Sequence, residues 1–365
     1  MSEAIVVGGG LAGAAFAIEL ARQGRAVTVL EKTTGAHHKV CGEFLSAEAQ
    51  ALLARLGLDV WQLGARPAGQ LGLEFGERNE RLTLPFRGAG LSRFLLDQGL
   101  LDAAARAGAQ VIRGVTVTGL ERGQKSAVVH TATQQYTASH VALATGKHNL
   151  RGLPRPQAPT VAFKMQLSVS AAAAAMLEDL VQLAMFRGGY AGVCLVEGGI
   201  ATICWVIDRD VVGEAAVTWD AHAAFLAQRS DFFATLLCGA TPLWDKPVAV
   251  AAIPYGFLRR EVIADAVYPL GDQLVVIPSY TGDGTSIALH TGMAAARAVL
   301  GGHPAGEFQT DAIAKLKPQI AWAKLANVAF VNATAQRVTS AVARVAPWAV
   351  PGIARFVVNR TRLRV

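Results

Sequence analysis

The sequence predicts an α/β fold: a parallel-sheet nucleotide-binding domain built from separated segments, an inserted antiparallel sheet, and a helical C-terminal region. Three observations predict it. The chain opens on a strand–turn–helix–strand unit with Gly8-Gly9-Gly10-Leu11-Ala12-Gly13 at its first turn and Glu31 closing its second strand. A different, strand-rich texture begins after Pro154-Arg155-Pro156. A strand, a glycine loop and a helix then return from Tyr268 onward. At 365 residues the chain can bury a large core and hold two domains.

The first 31 residues follow a βαβ logic. Ile5 to Val7 reads as a buried strand, Ala14 to Arg22 as a helix, and Ala26 to Leu30 as the next strand. Gly8 permits the tight turn, Gly10 lets a diphosphate approach the backbone, and Gly13 lets helix and strand pack. The helix N-terminus offers N–H groups and a partial positive charge to that diphosphate. Glu31 can accept from a ribose 2′-OH. These features specify a dinucleotide and leave open which one.

Ser46 to Leu56 reads as a helix capped by Ser46, with Glu48 in its first turn. Leu71 to Phe86 alternates like a strand, and Ser92 to Ala107 is helical up to Gly108. Val111 to Leu120 and Ala127 to Tyr136 read as a hairpin, and Val141 to Ala144 as a short buried strand. In the insert, Val161 to Val169, Gly192 to Val196, Ile200 to Ile207 and Val248 to Ile253 read as strands. Ala171 to Phe186 and Ala221 to Leu237 read as helices. Gln273 to Ile277 reads as a strand before the Pro278–Gly284 loop, and Ser286 to Leu300 as the last helix of that domain. The predicted boundaries are 1–60, 90–155 and 260–305 for nucleotide binding, 61–89 and 156–259 for substrate, and 306–365 for the helical tail.

Composition narrows the function. Four cysteines, Cys41, Cys194, Cys204 and Cys238, show no metal-type spacing and suit a reducing, cytoplasmic setting. The start of the chain, with Glu3 and Glu19, does not read as a secretory leader, and no apolar run reaches spanning length. The net charge of +7 lies in residues 306–365, where nine basic residues face only Glu307 and Asp311. That tail is either a solvated helical face or a contact with a membrane surface at its periphery. No interleaving of aromatic and basic residues points to nucleic acid.

The second glycine site decides the cofactor. Gly271-Asp272, Pro278, Gly282 and Gly284 form a loop leading into a helix. Asp272 can hold a ribityl hydroxyl, and the Gly282–Gly284 backbone can cradle a flavin ring. With the N-terminal unit, this predicts FAD rather than NAD as the tight cofactor, with NAD(P)H as a candidate reductant.

These motifs, with Lys39-Val40-Cys41-Gly42 and Ser92-Arg93-Phe94, resemble the FAD-dependent family of geranylgeranyl reductases and aromatic-ring hydroxylases of the p-hydroxybenzoate hydroxylase fold. The resemblance implies a Rossmann-like FAD-binding domain of that type. It also implies FAD contacts at Ala12, Glu31, Cys41, Gly42, Arg93, Val117, Asp272, Gly284 and Thr285. It covers most of the first 160 residues and 268–300, and is weak in the insert. Hydroxylases of this fold carry Asp-Gly where this chain has Thr145-Gly146, which puts direct reduction by NAD(P)H in question. Lys147, His148 and Arg151 just after it form a phosphate site or a basic surface loop. The Trp-x-Trp-x-Ile-Pro motif of flavin halogenases is absent; Cys204-Trp205-Val206-Ile207 is only an echo of it.

The expected activity is FAD-dependent oxidation or reduction of a hydrophobic small molecule. Monooxygenation through a flavin C4a-hydroperoxide is the leading reading; C=C reduction and a non-redox isomerase or cyclase are the alternatives. Cys41 and Tyr280 are the candidate catalytic residues. Cys41 either polarises or protonates a substrate or is a small residue under the ring. Tyr280 is either a proton donor or a pocket wall.

Overall fold

The computed structural model describes residues 2–75, 78–123, 125–212, 218–331 and 350–363. Ala4–Val7, all buried, is the middle strand of a five-stranded parallel sheet. The strand order is Val267–Pro269, His140–Leu143, Ala4–Val7, Val27–Glu31, Gln110–Arg113. The register places Val6 between Ala142 and Val29. Alternation along each strand then sorts the side chains to two faces. Ala4, Val6, Val27 and Val29 meet the helices Leu11–Arg22, Arg93–Arg106 and Gly284–Leu300 in the largest core. Ile5 and Val7 meet Ala127, Val129 and Ala138 of a small sheet, Val117–Arg122, Ala127–Thr131 and Gln135–Ala138.

The helices Leu11–Arg22 and Gly284–Leu300 cross closely because glycine stands at the contact. A Cβ on Gly292 would lie 2.2 Å from the Ala12 carbonyl oxygen. A Cβ on Gly13 would lie 2.0 Å from the Gly8 oxygen. No side chain fits at either point.

A second sheet of nine strands, counted among the described residues, holds Arg66–Phe75, Arg78–Gly90, Thr160–Ser168, Leu180–Phe186, Gly189–Val196 and Ile200–Asp208. It is antiparallel except where Leu180–Phe186 runs parallel to Arg66–Phe75. One face, with Met165, Val193, Ile203 and Trp205, is covered by the helices Ala171–Met176, Trp219–Ala227 and Asp231–Leu237. The other face, with Ala162, Cys204 and Val206, packs with Val40, Val276, Tyr190, Tyr255 and Tyr280. The helices Ala305–Val331 and Val350–Thr361 pack on each other and reach this second sheet.

Five expected elements differ. Residues 171–186 are one short helix and one strand, because the chain turns at Asp179, which has φ +53° and whose carboxylate accepts the Gly69 N–H at 2.6 Å. Residues 221–237 are two helices, restarted by Ser230, whose hydroxyl accepts the Phe233 N–H at 3.1 Å. Residues 71–86 are a hairpin of two longer strands. Gln110–Arg113 belongs to the parallel sheet, and Val117–Arg122 is what pairs with Ala127–Thr131. Residues 273–277 are not a strand: Gly271–Gln273 is a 3₁₀ turn, and the parallel strand is Val267–Pro269 just before it.

Candidate flavin site

The glycine turn is shaped as its residue types require. Gly8 has φ +104°, and a Cβ there would press to 2.5 Å from the Ala144 oxygen. Gly10 occupies the N-cap position of Leu11–Arg22, where no side chain caps the helix. A Cβ on Gly10 would stand 3.6 Å from Lys39 Nζ and 3.8 Å from Arg93 Nη2. Two cations therefore face the one glycine that an anion must approach.

Asp97 arranges those cations. Its carboxylate takes Arg93 Nε at 2.7 Å and Nη2 at 2.9 Å, and pairs with Lys39 Nζ at 2.7 Å. Burial alone raises a carboxyl, but Arg93 and Lys39 outweigh it and hold Asp97 at about 2. The Arg93 guanidinium also lies against the Cys41 thiol. Glu31 is buried and already engaged: Oε2 accepts the Gly9 N–H at 2.8 Å and Oε1 the Thr33 N–H at 3.0 Å. The acid expected at a ribose thus also holds the glycine turn. Burial raises its pKa, and the Thr33 N–H, Lys39 and the Gly9 N–H more than offset that.

The second glycine loop comes from the other end of the chain. Gly271 has φ +52°, donates its N–H to Thr291 Oγ1 at 2.9 Å, and lies beside Ala12. The Asp272 carbonyl accepts from Arg155 Nη1 at 2.6 Å. Pro278 precedes the 3₁₀ turn Ser279–Thr281, Gly282 follows it at φ +73°, and Gly284 opens the long helix with Thr285 buried behind it. Gly282 packs on the Phe44 ring, so this loop touches the Cys41–Phe44 segment. A Cβ on Gly42 or on Gly284 would meet nothing within 4 Å. Gly10 faces Lys39 and Arg93, Gly271 lies beside Ala12, and Gly282 lies on Phe44, next to Glu43. Val117 starts a strand of the small sheet and packs in its core.

Sequence reasoning missed the buried charge that joins this site to the second sheet. Glu43 and Lys164 form an ion pair with both side chains fully buried. Glu43 Oε2 also accepts Gln166 Nε2 at 3.0 Å and Thr202 Oγ1 at 2.8 Å, and Oε1 accepts the Arg93 N–H at 2.7 Å. Lys164 Nζ lies 3.5 Å from His38 Nδ1, whose ring stands between Phe94 and Trp244. Two signals were present: a lysine at an interior position of an apolar strand, and an acid directly after Cys41-Gly42.

Two positions that the sequence leaves open are engaged by other parts of the chain. Lys147 donates to the Val40 carbonyl at 2.7 Å, so it fastens the Cys41 loop and is not held out for a phosphate; Arg151 is exposed. Tyr280 donates its hydroxyl to the Ala323 carbonyl at 2.6 Å. Its proton points to the C-terminal helix, and burial pushes its pKa up. Of the basic tail, Arg337, Arg344 and Arg364 lie outside the described residues. No helix among the described residues is long and apolar enough to cross a membrane.

The model for the pyridine nucleotide-disulphide oxidoreductase family matches residues 2–195, more than half of the chain. The chain belongs to this family. Over 134 residues it is 31% identical to the menaquinone reductase of Mycobacterium tuberculosis (strain ATCC 25618 / H37Rv), covering 35% of this chain and 33% of that protein. Over 87 residues it is 34% identical to squalene epoxidase 4 of Arabidopsis thaliana, covering 23% of this chain and 16% of that protein. The aligned part thus spans about a third or less of these curated relatives. The fold extends further: the flavin-dependent brominase Bmp2 superposes with a TM-score of 0.79 at 15% identity, covering 100% of this chain and 94% of that one. The halogenase PltM, solved with phloroglucinol and FAD, gives 0.73 at 13% identity, covering 90% and 76%. At such identities the likeness is one of fold.

Residues 2–195 thus carry an oxidoreductase domain, and FAD is the cofactor that the sequence predicts for it. Its residues fit the cofactor. The uncapped helix with Lys39 and Arg93 suits a diphosphate, Glu31 a ribose, and the open sides of Gly42 and Gly284 a flat ring. Bound there, FAD supplies the redox chemistry.

Proposed function

We propose that this enzyme is a flavin monooxygenase that hydroxylates or epoxidises a hydrophobic organic molecule. The observation that carries this reading is the dry cluster beside the second glycine loop. Ala162, Met185, Cys204, Val206 and Ile253 are buried there with Tyr190. Tyr255 and Tyr280 complete its wall, with their hydroxyls bound to Ser279 and to the Ala323 carbonyl. Burial pushes Tyr190, Tyr255 and Tyr280 up, and pushes the Cys204 thiol to about 12. Oxygen transfer needs a water-excluding, apolar wall. Saturating a C=C bond needs an acid with a proton to give, and these phenols hold theirs.

C=C reduction is the second reading, favoured by the similarity to a menaquinone reductase and by Cys41 against Arg93. Substrate-stimulated bleaching of the flavin by NAD(P)H, followed by isotope-labelled O₂ appearing in the product, tests the first reading. An alkylphenol and a polyprenyl quinone serve as probes. Anaerobic saturation of the polyprenyl chain, with no label in either product, would overturn it.

For delivery of such substrates we propose contact with an anionic bilayer through the helix Ala305–Val331. Leu325 is 62% exposed there, beside exposed Lys315, Lys317 and Lys324. Cosedimentation with phosphatidylglycerol vesicles but not phosphatidylcholine vesicles is the expected result. Equal binding to both, or to neither, counts against it.

A further inference from the structure

Glu43 has a left-handed backbone, φ +58°, although it is not glycine. Its side chain is fully buried. A residue with a side chain keeps that conformation only where its surroundings fix it, and such outliers gather at functional sites. Three parts of the molecule fix this one. From the second sheet come Lys164, which forms the ion pair, and the cross-strand neighbours Gln166 and Thr202, which both donate to Oε2. From the helix Arg93–Arg106 comes its first N–H, that of Arg93, which Oε1 accepts at 2.7 Å. Backbone contacts complete the set. Cys194 Sγ donates to the Gly42 carbonyl at 3.5 Å, and the Leu91 N–H donates to the Glu43 carbonyl at 3.0 Å.

The helix that Glu43 holds is the one that brings Arg93 to the diphosphate end. Arg93 is gripped twice. Glu43 takes its backbone N–H, and Asp97, one turn on, takes its guanidinium beside Gly10. The second sheet supports the first grip. Glu197 Oε2 accepts the Ser92 N–H at 2.9 Å, and a Cβ on Gly90 would lie 1.9 Å from the Leu195 oxygen. Two carboxylates from outside the helix thus sit on its free N-terminal N–H groups, where negative charge is favoured. Directly before Glu43 stands Gly42, whose open side suits the ring.

We propose that Glu43 is a positioning residue that couples the two ends of the cofactor site. One carboxylate, fixed to the second sheet, sets both Gly42 at the ring and Arg93 at the diphosphate. The bond to the Arg93 N–H carries the coupling, and the pair with Lys164 holds the carboxylate in place for it. This rests on the flavin site and holds whichever reaction the ring carries out.

The test uses ADP, which reaches only the diphosphate end, as a calorimetric probe of the full-length, FAD-free chain. Glu43→Leu/Lys164→Met removes both charges at similar volume and leaves the Arg93 N–H without its acceptor. ADP affinity is expected to fall about tenfold. Glu43→Gln/Lys164→Met also removes both charges, but the amide oxygen still accepts the Arg93 N–H, while its NH₂ faces Thr202 Oγ1 and the oxygen of a turned Gln166. ADP affinity is then expected within about threefold of native. A role in stability alone would move both variants alike. Hydrogen–deuterium exchange of residues 41–45 checks the coupling in the native chain. With ADP at about ten times its dissociation constant, exchange there is expected to slow by up to about tenfold. Unchanged ADP affinity in the leucine variant would overturn the proposal, as would equal losses in the two variants or exchange at 41–45 that ADP leaves untouched. A native chain that does not bind ADP overturns it too, and one that binds neither ADP nor FAD overturns the cofactor site as well. The native exchange measurement stands even if the leucine variant does not fold.

Discussion

The two ends of the cofactor site are built in opposite ways. The diphosphate end comes from one local unit, Gly8 to Glu31, to which Lys39, Arg93 and Asp97 are added. The ring end is assembled from Cys41–Phe44, Lys164, Thr202, Gly282–Gly284 and Leu363, segments more than 300 residues apart at the extremes. The first end rests on backbone shape: glycine at fixed offsets and a helix N-terminus. The second rests on buried polar pairings, Glu43 with Lys164 and Asp283 with Leu363, which no short motif encodes. At Gly8 and Gly13 the first end has no room for an added atom. The second end depends on each buried group keeping its partner.

The largest effect should come from Gly13→Ala. The new Cβ would sit 2.0 Å from the Gly8 carbonyl oxygen and 2.8 Å from Val6 Cγ1, so helix and strand must separate. A loss of about 3 kcal/mol or more in stability is expected. FAD should be absent from the purified protein, as its absorbance spectrum would show. Full flavin content in Gly13→Ala would mean that the close helix–strand packing is not what forms the diphosphate end.

Next in size is the ring end's buried pair. Lys164→Met leaves Glu43 charged, buried and short of one partner, and should cost about 3–5 kcal/mol in denaturant unfolding. Glu43→Gln should cost a similar amount, because it strands the Lys164 ammonium. The double variant Glu43→Gln/Lys164→Met removes both charges together and should be milder than the sum of the singles by about 1 kcal/mol or more. Additive losses would show that the two residues matter separately and not as a pair.

Arg93→Lys tests the diphosphate end more gently. Lysine keeps the charge beside Gly10 but cannot make the two-point contact with Asp97. A drop of about tenfold in FAD affinity is expected, with stability little changed. An unchanged dissociation constant would leave Lys39 as the effective phosphate partner.

Legibility in the sequence follows the same division. The βαβ unit, the Ser46 cap, the helix starting near Ser92 and the Gly271-Asp272 step are local, and they were readable. What failed was set by distant partners. The run from Ala171 looks helical because alanine favours helix, yet Leu180–Phe186 is a strand because Arg66–Phe75 offers it a parallel edge. The apolar run Leu274–Ile277 looks like a strand, but its ladder is a single bridge between Val275 and Leu258. Lys164 and Glu43 are 121 residues apart, and only the register of the second sheet shows that they meet. Asp283 reads as one more polar loop residue until Leu363 is placed against it.

The smallest effect should be at Cys41, and it bears most directly on the ring end. The thiol accepts the Glu43 N–H at 3.4 Å and lies beside the Arg93 guanidinium. If the site transfers oxygen, this residue shapes the loop and no step needs its proton. Cys41→Ser and Cys41→Ala should then both turn over at close to the native rate, within about threefold. If the site saturates C=C bonds with Cys41 as the acid, both variants should lose about 10²–10⁴-fold in turnover, with serine no better than alanine because its hydroxyl is far less acidic. Pre-steady-state rates of flavin reduction and reoxidation locate any loss. A loss confined to the step that needs substrate, with flavin reduction by NAD(P)H unchanged, would give the thiol a chemical role and turn the proposed reaction from oxygen transfer to C=C reduction.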